Sequence, residues 1–173
     1  FTLGGNLTSG ATAQAHTYAG ATTINGGTLR LASSGIIGSS SGIMIDGSTA
    51  KLLQESATAI APAVTLTEGI LTGSGTVNTV TVGNGTGGIV SNNNGVAGAA
   101  LTVGTLTFDG TATVNTHNDT AAAAIVTTDL TTNLAGTVTI NPSVPPFVAG
   151  AYDLISYGGG SILGGGFGQS VPG

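Results

Sequence analysis

Short runs in which an apolar residue alternates with threonine, each closed by Gly, Asn-Gly or Asp-Gly, recur along almost the whole chain. The fullest is residues 18–31, Tyr18-Ala19-Gly20-Ala21-Thr22-Thr23-Ile24-Asn25-Gly26-Gly27-Thr28-Leu29-Arg30-Leu31. Ile24, Leu29 and Leu31 fall to one side and Thr23, Thr28 and Arg30 to the other, the period of two of a half-buried strand. Asn25-Gly26-Gly27 supplies a tight turn between the two halves. Val64-Thr65-Leu66, Val80-Thr81-Val82, Leu101-Thr102-Val103, Leu106-Thr107-Phe108, Ala112-Thr113-Val114 and Val138-Thr139-Ile140 repeat the alternation. Glu68-Gly69, Gly73-Ser74-Gly75, Gly83-Asn84-Gly85 and Asp109-Gly110 punctuate it, because glycine takes φ > 0 at little cost.

Three stretches depart from the pattern. In residues 51–61, Leu52, Leu53, Ala57 and Ile60 can share a helical face, but Thr58, the short length and Pro62 favour a strand at 50–53 followed by a loop. Residues 115–123 read as a polar-to-alanine loop. Residues 141–146 read as a second loop, since proline suits no central strand. Residues 152–157 form the last strong strand, and a Gly-rich tail follows it.

Corresponding apolar pairs return at roughly 16 to 22 residues: Leu29/Leu31, Ile43/Ile45, Val64/Leu66, Val80/Val82 and Leu101/Val103. A period of about 20 marks a solenoid, in which one coil cannot bury its apolar face but stacked coils can. The expectation is an all-β fold, a right-handed parallel β-helix of roughly eight coils at about 20 residues each, with no substantial helix. Residues 1–17 are an N-terminal strand and loop able to pair with a neighbour, 18–157 the solenoid, and 158–173 a C-terminal tail, cap or linker. Predicted core positions are Ile24, Leu29, Leu66, Val82, Leu101, Val103, Phe108 and Leu154. Predicted turn residues are Gly27, Gly75 and Gly110.

Composition narrows the function classes. Only 5% of the 173 residues are charged, against about a quarter in an average soluble protein. Arg30 and Lys51 are the only cations and the net charge is -5, so the basic footprint of a nucleic-acid binder is missing and docking on anionic lipid is disfavoured. The 31 glycines accompany 40% hydrophobic residues, which fits a turn-dense folded chain better than disorder. Without cysteine there is no disulfide or thiolate metal site. No apolar run reaches the roughly 18 residues of a membrane-spanning helix. A start at Phe1 with no signal-like segment reads as a cut piece of a longer chain.

Residues 18–31 resemble the autotransporter-associated β-strand repeat of bacterial passenger domains, whose pattern is Tyr-x-Gly-x-Thr-x-(Val/Ile)-Asn-x-Gly-x-Leu. Tyr18, Gly20, Thr22, Ile24, Asn25, Gly27 and Leu29 carry the match. Residues 71–77, 101–110 and 150–157 continue the similarity, so that it covers most of the chain. The resemblance implies a parallel β-helix at a bacterial surface, used as a scaffold, with no catalytic residue carried over. The chain closes in Gly-Phe-Gly-Gln-Ser-Val-Pro-Gly, without the membrane β-barrel of such proteins. A barrel elsewhere in a longer precursor, or reuse of the repeat as an assembly subunit, would account for that.

Candidate chemistry is sparse. His16 and His117 lie far apart in sequence, and Asp119 near His117 does not make the three or four converging ligands a metal needs. Asp109 with Asp129, or Asp46 with Glu68, are the carboxylate pairs that stacking could bring together for glycoside chemistry. Asp46 and Asp109 each precede glycine, so turn formation accounts for them equally well. Gly73-Ser74-Gly75 lacks the outer glycines and the helix of a nucleophile elbow. No Gly-rich stretch runs into Lys-Ser/Thr as a phosphate loop does, and Asp is missing from the Gly-rich runs near residues 158–166 that would otherwise suit calcium. Asn6-Leu7-Thr8, Asn84-Gly85-Thr86 and Asn118-Asp119-Thr120 have sequon form.

The expectation is therefore no enzyme, no cofactor and no metal. It is a structural, extracellular, bacterial surface subunit of a filament, sheath or stalk, self-associating head to tail and adhering to glycans or a solid support. Phe1, Leu3 and Phe167 are the expected subunit contacts, because open solenoid ends need cover. The alternatives are a monomeric passenger segment or spacer and a polysaccharide-active β-helix enzyme.

Overall fold

In the computed structural model the described residues are 2–3, 7–9, 17–92, 99–117, 122–133, 136–143 and 153–159. They form strands β1 (Thr2–Leu3), β2 (Leu7–Ser9), β3 (Thr22–Ile24), β4 (Thr28–Ser33), β5 (Ile43–Ile45), β6 (Lys51–Ser56), β7 (Val64–Leu66) and β8 (Ile70–Gly73). These are followed by β9 (Thr76–Val82), β10 (Gly88–Ser91), β11 (Leu101–Phe108), β12 (Ala112–His117), β13 (Ile125–Thr132), β14 (Val138–Ser143) and β15 (Ile155–Gly159). No helix occurs among the described residues.

Odd-numbered strands form one eight-stranded sheet and even-numbered strands a second, seven-stranded one. Each strand from β1 to β13 pairs in parallel with the strand two further along the chain. The chain thus winds from one sheet to the other and back, a parallel β-solenoid. The helical alternative for residues 51–61 gives way to β6, in which Leu52, Gln54 and Ser56 point inward.

Corners are built by the same residues that the sequence marks as turns. After β3, Gly27 takes φ of 70° and redirects the chain into β4. Hydrogen bonding does not lapse at the bend. The amides of Asp46, Thr67, Gly83, Asp109 and Asn133 donate to the carbonyls of Ile24, Ile45, Leu66, Val82 and Phe108 at 2.8 to 3.1 Å, so the ladder turns the corner with the strands and leaves few buried polar groups unpaired. Residues 18–31 are accordingly no hairpin: β3 and β4 lie in different sheets, β3 pairing with β1 and β5 and β4 with β2 and β6.

The core is a pair of vertical stacks. On the eight-stranded sheet Ile24, Ile45, Leu66, Val82, Phe108 and Thr132 lie in register. On the other, Leu29, Leu52, Leu71, Val90, Val114 and Ile140 do. Ile24, Leu29, Leu66, Val82, Leu101, Val103 and Phe108 are at most 1% exposed, each burial contributing roughly 1.5–3 kcal/mol. Leu154 departs from expectation: it precedes β15 and is only half-buried, where among the described residues β15 ends its sheet and β13 is its one neighbouring strand.

Coil length varies where the sequence suggests a steady period. From Ile24 to Ile45 and from Ile45 to Leu66 is 21 residues, but from Leu66 to Val82 only 16 and from Val82 to Phe108 26. Leu29/Leu31 belong to the seven-stranded sheet, unlike the other pairs in the period. Val80/Val82 are covered by Leu106/Phe108, while Val103 covers Val77. The pieces read as separate strands join: residues 76–82 and 101–108 are continuous. Each contains a bend in which two successive residues face outward, Asn78-Thr79 and Gly104-Thr105, repeated by Thr128-Asp129 in β13. A Cβ on Gly104 would lie 2.4 Å from the Asn78 carbonyl oxygen, so the stacked bend requires glycine there.

Two expected loops are partly strand. Residues 115–117 complete β12 and residues 141–143 complete β14. Pro142 is tolerated because β14 ends its sheet and pairs only with β12, so the missing N–H breaks no second ladder.

Candidate functional site

Carboxylates are the groups with most chemical potential in so uncharged a chain, and the structure spreads them along the rod. Asp46 and Asp109 sit at the corner that follows the eight-stranded sheet, one position after Ile45 and Phe108. The Thr67 hydroxyl of the next coil donates to Asp46 Oδ1 at 2.5 Å, and Asn133 Nδ2 donates to Asp109 Oδ1. Glu68, beside that corner, accepts from the Thr86 hydroxyl at 2.6 Å. Each acid therefore bonds a hydroxyl or amide one coil further on, extending the backbone ladder with side chains. Asp129 lies on the outer face opposite Thr105. Neither of the expected carboxylate pairs stands as a hydrogen-bonded pair.

Arg30, Lys51 and Glu55 lie on the seven-stranded sheet, and Asp153 precedes β15 of the other. Arg30 Nε donates to Glu55 Oε2 at 2.7 Å, with the side chains 47% and 17% exposed. A pair this accessible to water contributes about 0.2–1 kcal/mol. Lys51 follows in the same sheet. His117 donates its backbone N–H to Asn92 Oδ1 at 2.7 Å, and its Nδ1 is buried without a partner. His16 and Asp119 lie outside the described residues, among which no group of three His, Cys, Asp or Glu could hold a metal. The chain matches no protein-family model, no curated protein and no solved structure.

Two polar side chains carry structural work that the sequence pattern did not single out. Gln54 is fully buried. Its Nε2 donates to the Thr58 and Thr76 carbonyls at 2.9 and 3.1 Å, with the Ser56 carbonyl at 3.4 Å. Gly75 makes room for it, since a Cβ there would lie 2.8 Å from the Gln54 Cγ, while Gly73 lets the two backbones approach, a Cβ there lying 1.9 Å from the Gln54 carbonyl oxygen. Asn92, 2% exposed, donates to the Ala99 carbonyl at 2.7 Å and to the His117 carbonyl at 2.9 Å. Alternation does carry the signal for Gln54, since it shares a face with Leu52. Asn92 is hidden in Asn92-Asn93-Asn94-Gly95, which reads as an ordinary turn.

One open groove of about 290 Å³ lies beside the corner, lined by Glu68, Thr86, Thr111, Thr113 and Ile89 among others. Its walls mix hydroxyls with glycine, Ile89 and Ala112, and Glu68 is already bonded to Thr86. Of the predicted turn residues, Gly27 and Gly110 have φ of 70° and 146°, while Gly75 accommodates Gln54. Among the predicted subunit contacts, Leu3 lies in β1 in register with Ile24. Phe1 and Phe167 lie outside the described residues.

Proposed function

We propose that the chain is a structural β-solenoid subunit of an extracellular bacterial filament, sheath or stalk that self-associates head to tail and adheres through its hydroxyl-rich surface to glycans or a solid support. A right-handed winding and roughly eight coils over the whole chain belong to this reading, as does kinship with the autotransporter-associated repeat. The observation that carries it is the pair of parallel sheets, whose core is two facing stacks of mostly apolar side chains and whose Asp46, Glu68 and Asp109 bond the next coil. Such an arrangement gives stiffness, and a parallel stack can be extended by another copy through the same hydrogen bonds. A non-catalytic role without cofactor agrees with carboxylates taken up in the corner ladder. With only two cations, one of them bonded to Glu55, partners other than nucleic acid are expected.

Negative-stain electron microscopy of the purified chain over a concentration series tests the assembly. Filaments that lengthen with concentration are the expected result. Rods of one fixed length at every concentration would sink it and favour the monomeric spacer. The enzymatic alternative has the groove at Glu68 in its favour, and hydrolysis of a polysaccharide panel abolished by Glu68→Gln would establish it.

A further inference from the structure

The outer face of the eight-stranded sheet is a regular array of threonine. Thr23, Met44, Thr65, Thr81, Thr107 and Thr131 are successive register partners, one per coil. Two positions upstream on the same face, Thr79 and Thr105 begin a second rank beside Thr81 and Thr107. Spacing is fixed by the backbone at about 4.8 Å between coils and about 6.7 Å along each strand. The four unbroken threonines of the first rank, from Thr65 to Thr131, therefore span about 14 Å. Parallel in-register stacking keeps such a sheet flat, and β-branching restricts each χ1, so methyl and hydroxyl are ordered before anything binds.

A second observation concerns the hydroxyls. Several threonines elsewhere in the solenoid use theirs internally, Thr22 with Tyr18 and Ser40, Thr67 with Asp46, Thr86 with Glu68 and Thr127 with the Gly104 and Asp129 carbonyls, whereas the Thr116 hydroxyl is buried without a partner. Those of the two outer ranks have no partner among the described residues. They are half-exposed or exposed and remain free to bond outward. Charge is kept from the first rank, which carries none: Arg30, Lys51 and Glu55 lie on the opposite sheet, while Asp129 follows Thr105 and ends the second rank.

A rigid grid of hydroxyl and methyl groups, with a single carboxylate at the end of its second rank, complements a ligand that is itself an uncharged two-dimensional lattice. A mineral face would require an array of charge, and the flat sugar rings of a polysaccharide crystal would require aromatic platforms. Neither rank has one. Ordered water meets the requirement: the oxygen repeats on faces of hexagonal ice are close to both grid spacings, with water bonded at the hydroxyls and caged around the methyls. We propose that this face binds the surface of ice crystals, centred on Thr65, Thr81, Thr107 and Thr131. It needs no assembly, since one copy presents the whole grid.

Thermal hysteresis, crystal habit and partition into a growing ice front, measured on the purified chain, test this. The expected result is faceted crystals, a measurable hysteresis gap and enrichment in the ice. Thr81→Tyr and Thr107→Tyr raise a ring above the grid and should lower hysteresis several-fold with an unchanged circular dichroism spectrum. Thr139→Tyr, on the outer face of the other sheet, should leave it as it was. Should the tyrosine variants unfold, Thr81→Ser and Thr107→Ser, which keep the hydroxyl and lose the methyl and its rotamer restraint, should still reduce it. Round, freely growing crystals at the highest soluble concentration overturn the proposal. So does an equal loss with Thr139→Tyr, or adsorption to crystalline cellulose without adsorption to ice.

Discussion

Gln54 is an amide placed where the alternation of β6 demands an inward residue, and its burial is tolerable because its own polar atoms find backbone partners, Nε2 on the Thr58 and Thr76 carbonyls and Oε1 on the Ser56 N–H. Replacing it by leucine fills similar volume but strands the Thr58 carbonyl and removes the second donor to the Thr76 carbonyl, which keeps its bond from the Ile60 N–H, at about 1–3 kcal/mol. Arg30→Ala should cost less than about 1 kcal/mol, since the pair with Glu55 is largely in water. Urea unfolding of both variants separates the two, and equal midpoints would mean that Gln54 is no brace. Glycines divide in the same way. Gly104→Ala drives a Cβ to 2.4 Å from a backbone oxygen, whereas at Gly20 nothing lies within 4 Å. The first should lower the melting temperature by several degrees, roughly what 1 kcal/mol or more produces in a domain of this size, and the second should leave it unchanged or slightly raised. At this scale the sequence is legible wherever a side chain follows the alternation. It is silent where a residue is chosen for its neighbour one coil away, as Gly73 is for Gln54.

Strands of three residues such as β5 and β7 are too short to be stable alone, and their persistence comes from neighbours on both sides. Leu66 is fully buried between Ile45 and Val82, so Leu66→Ala should cost about 2–5 kcal/mol. Leu154→Ala should cost clearly less, because Leu154 is half-buried at the end of its sheet. Chemical denaturation of the pair measures the difference; similar losses would show that the last coil is as well packed as the middle. The element scale is also where reading from sequence loses its footing. Residues 115–117 look like loop because they are polar and 141–143 because of Pro142, yet both are strand because each pairs with a neighbouring strand. The joined strands of residues 76–82 and 101–108 illustrate the converse: a two-residue outward bend looks like a break until its counterpart stacks on it.

Across the whole molecule, stability in a solenoid is a sum of nearest-neighbour terms, highest where a coil is covered on both sides. Hydrogen exchange should therefore be slowest for the amides of β7, β9 and β11 and faster for β14 and β15, which end their sheets. Uniform protection from end to end would contradict it. The all-β class, the strand-forming alternation, the turns at Gly27 and Gly110 and most of the apolar core follow from the sequence alone, because a period of two and a glycine at φ > 0 are local requirements written in local residues. Which strand lies on which sheet, the unequal coil lengths, the pairing of Asp46 with Thr67 and of Asp109 with Asn133, and the alignment of Thr65, Thr81, Thr107 and Thr131 into one rank were decided by the tertiary structure. Those partners are 16 to 26 residues apart, and nothing in a local pattern fixes how much chain each coil spends on its bends before the next strand comes into register.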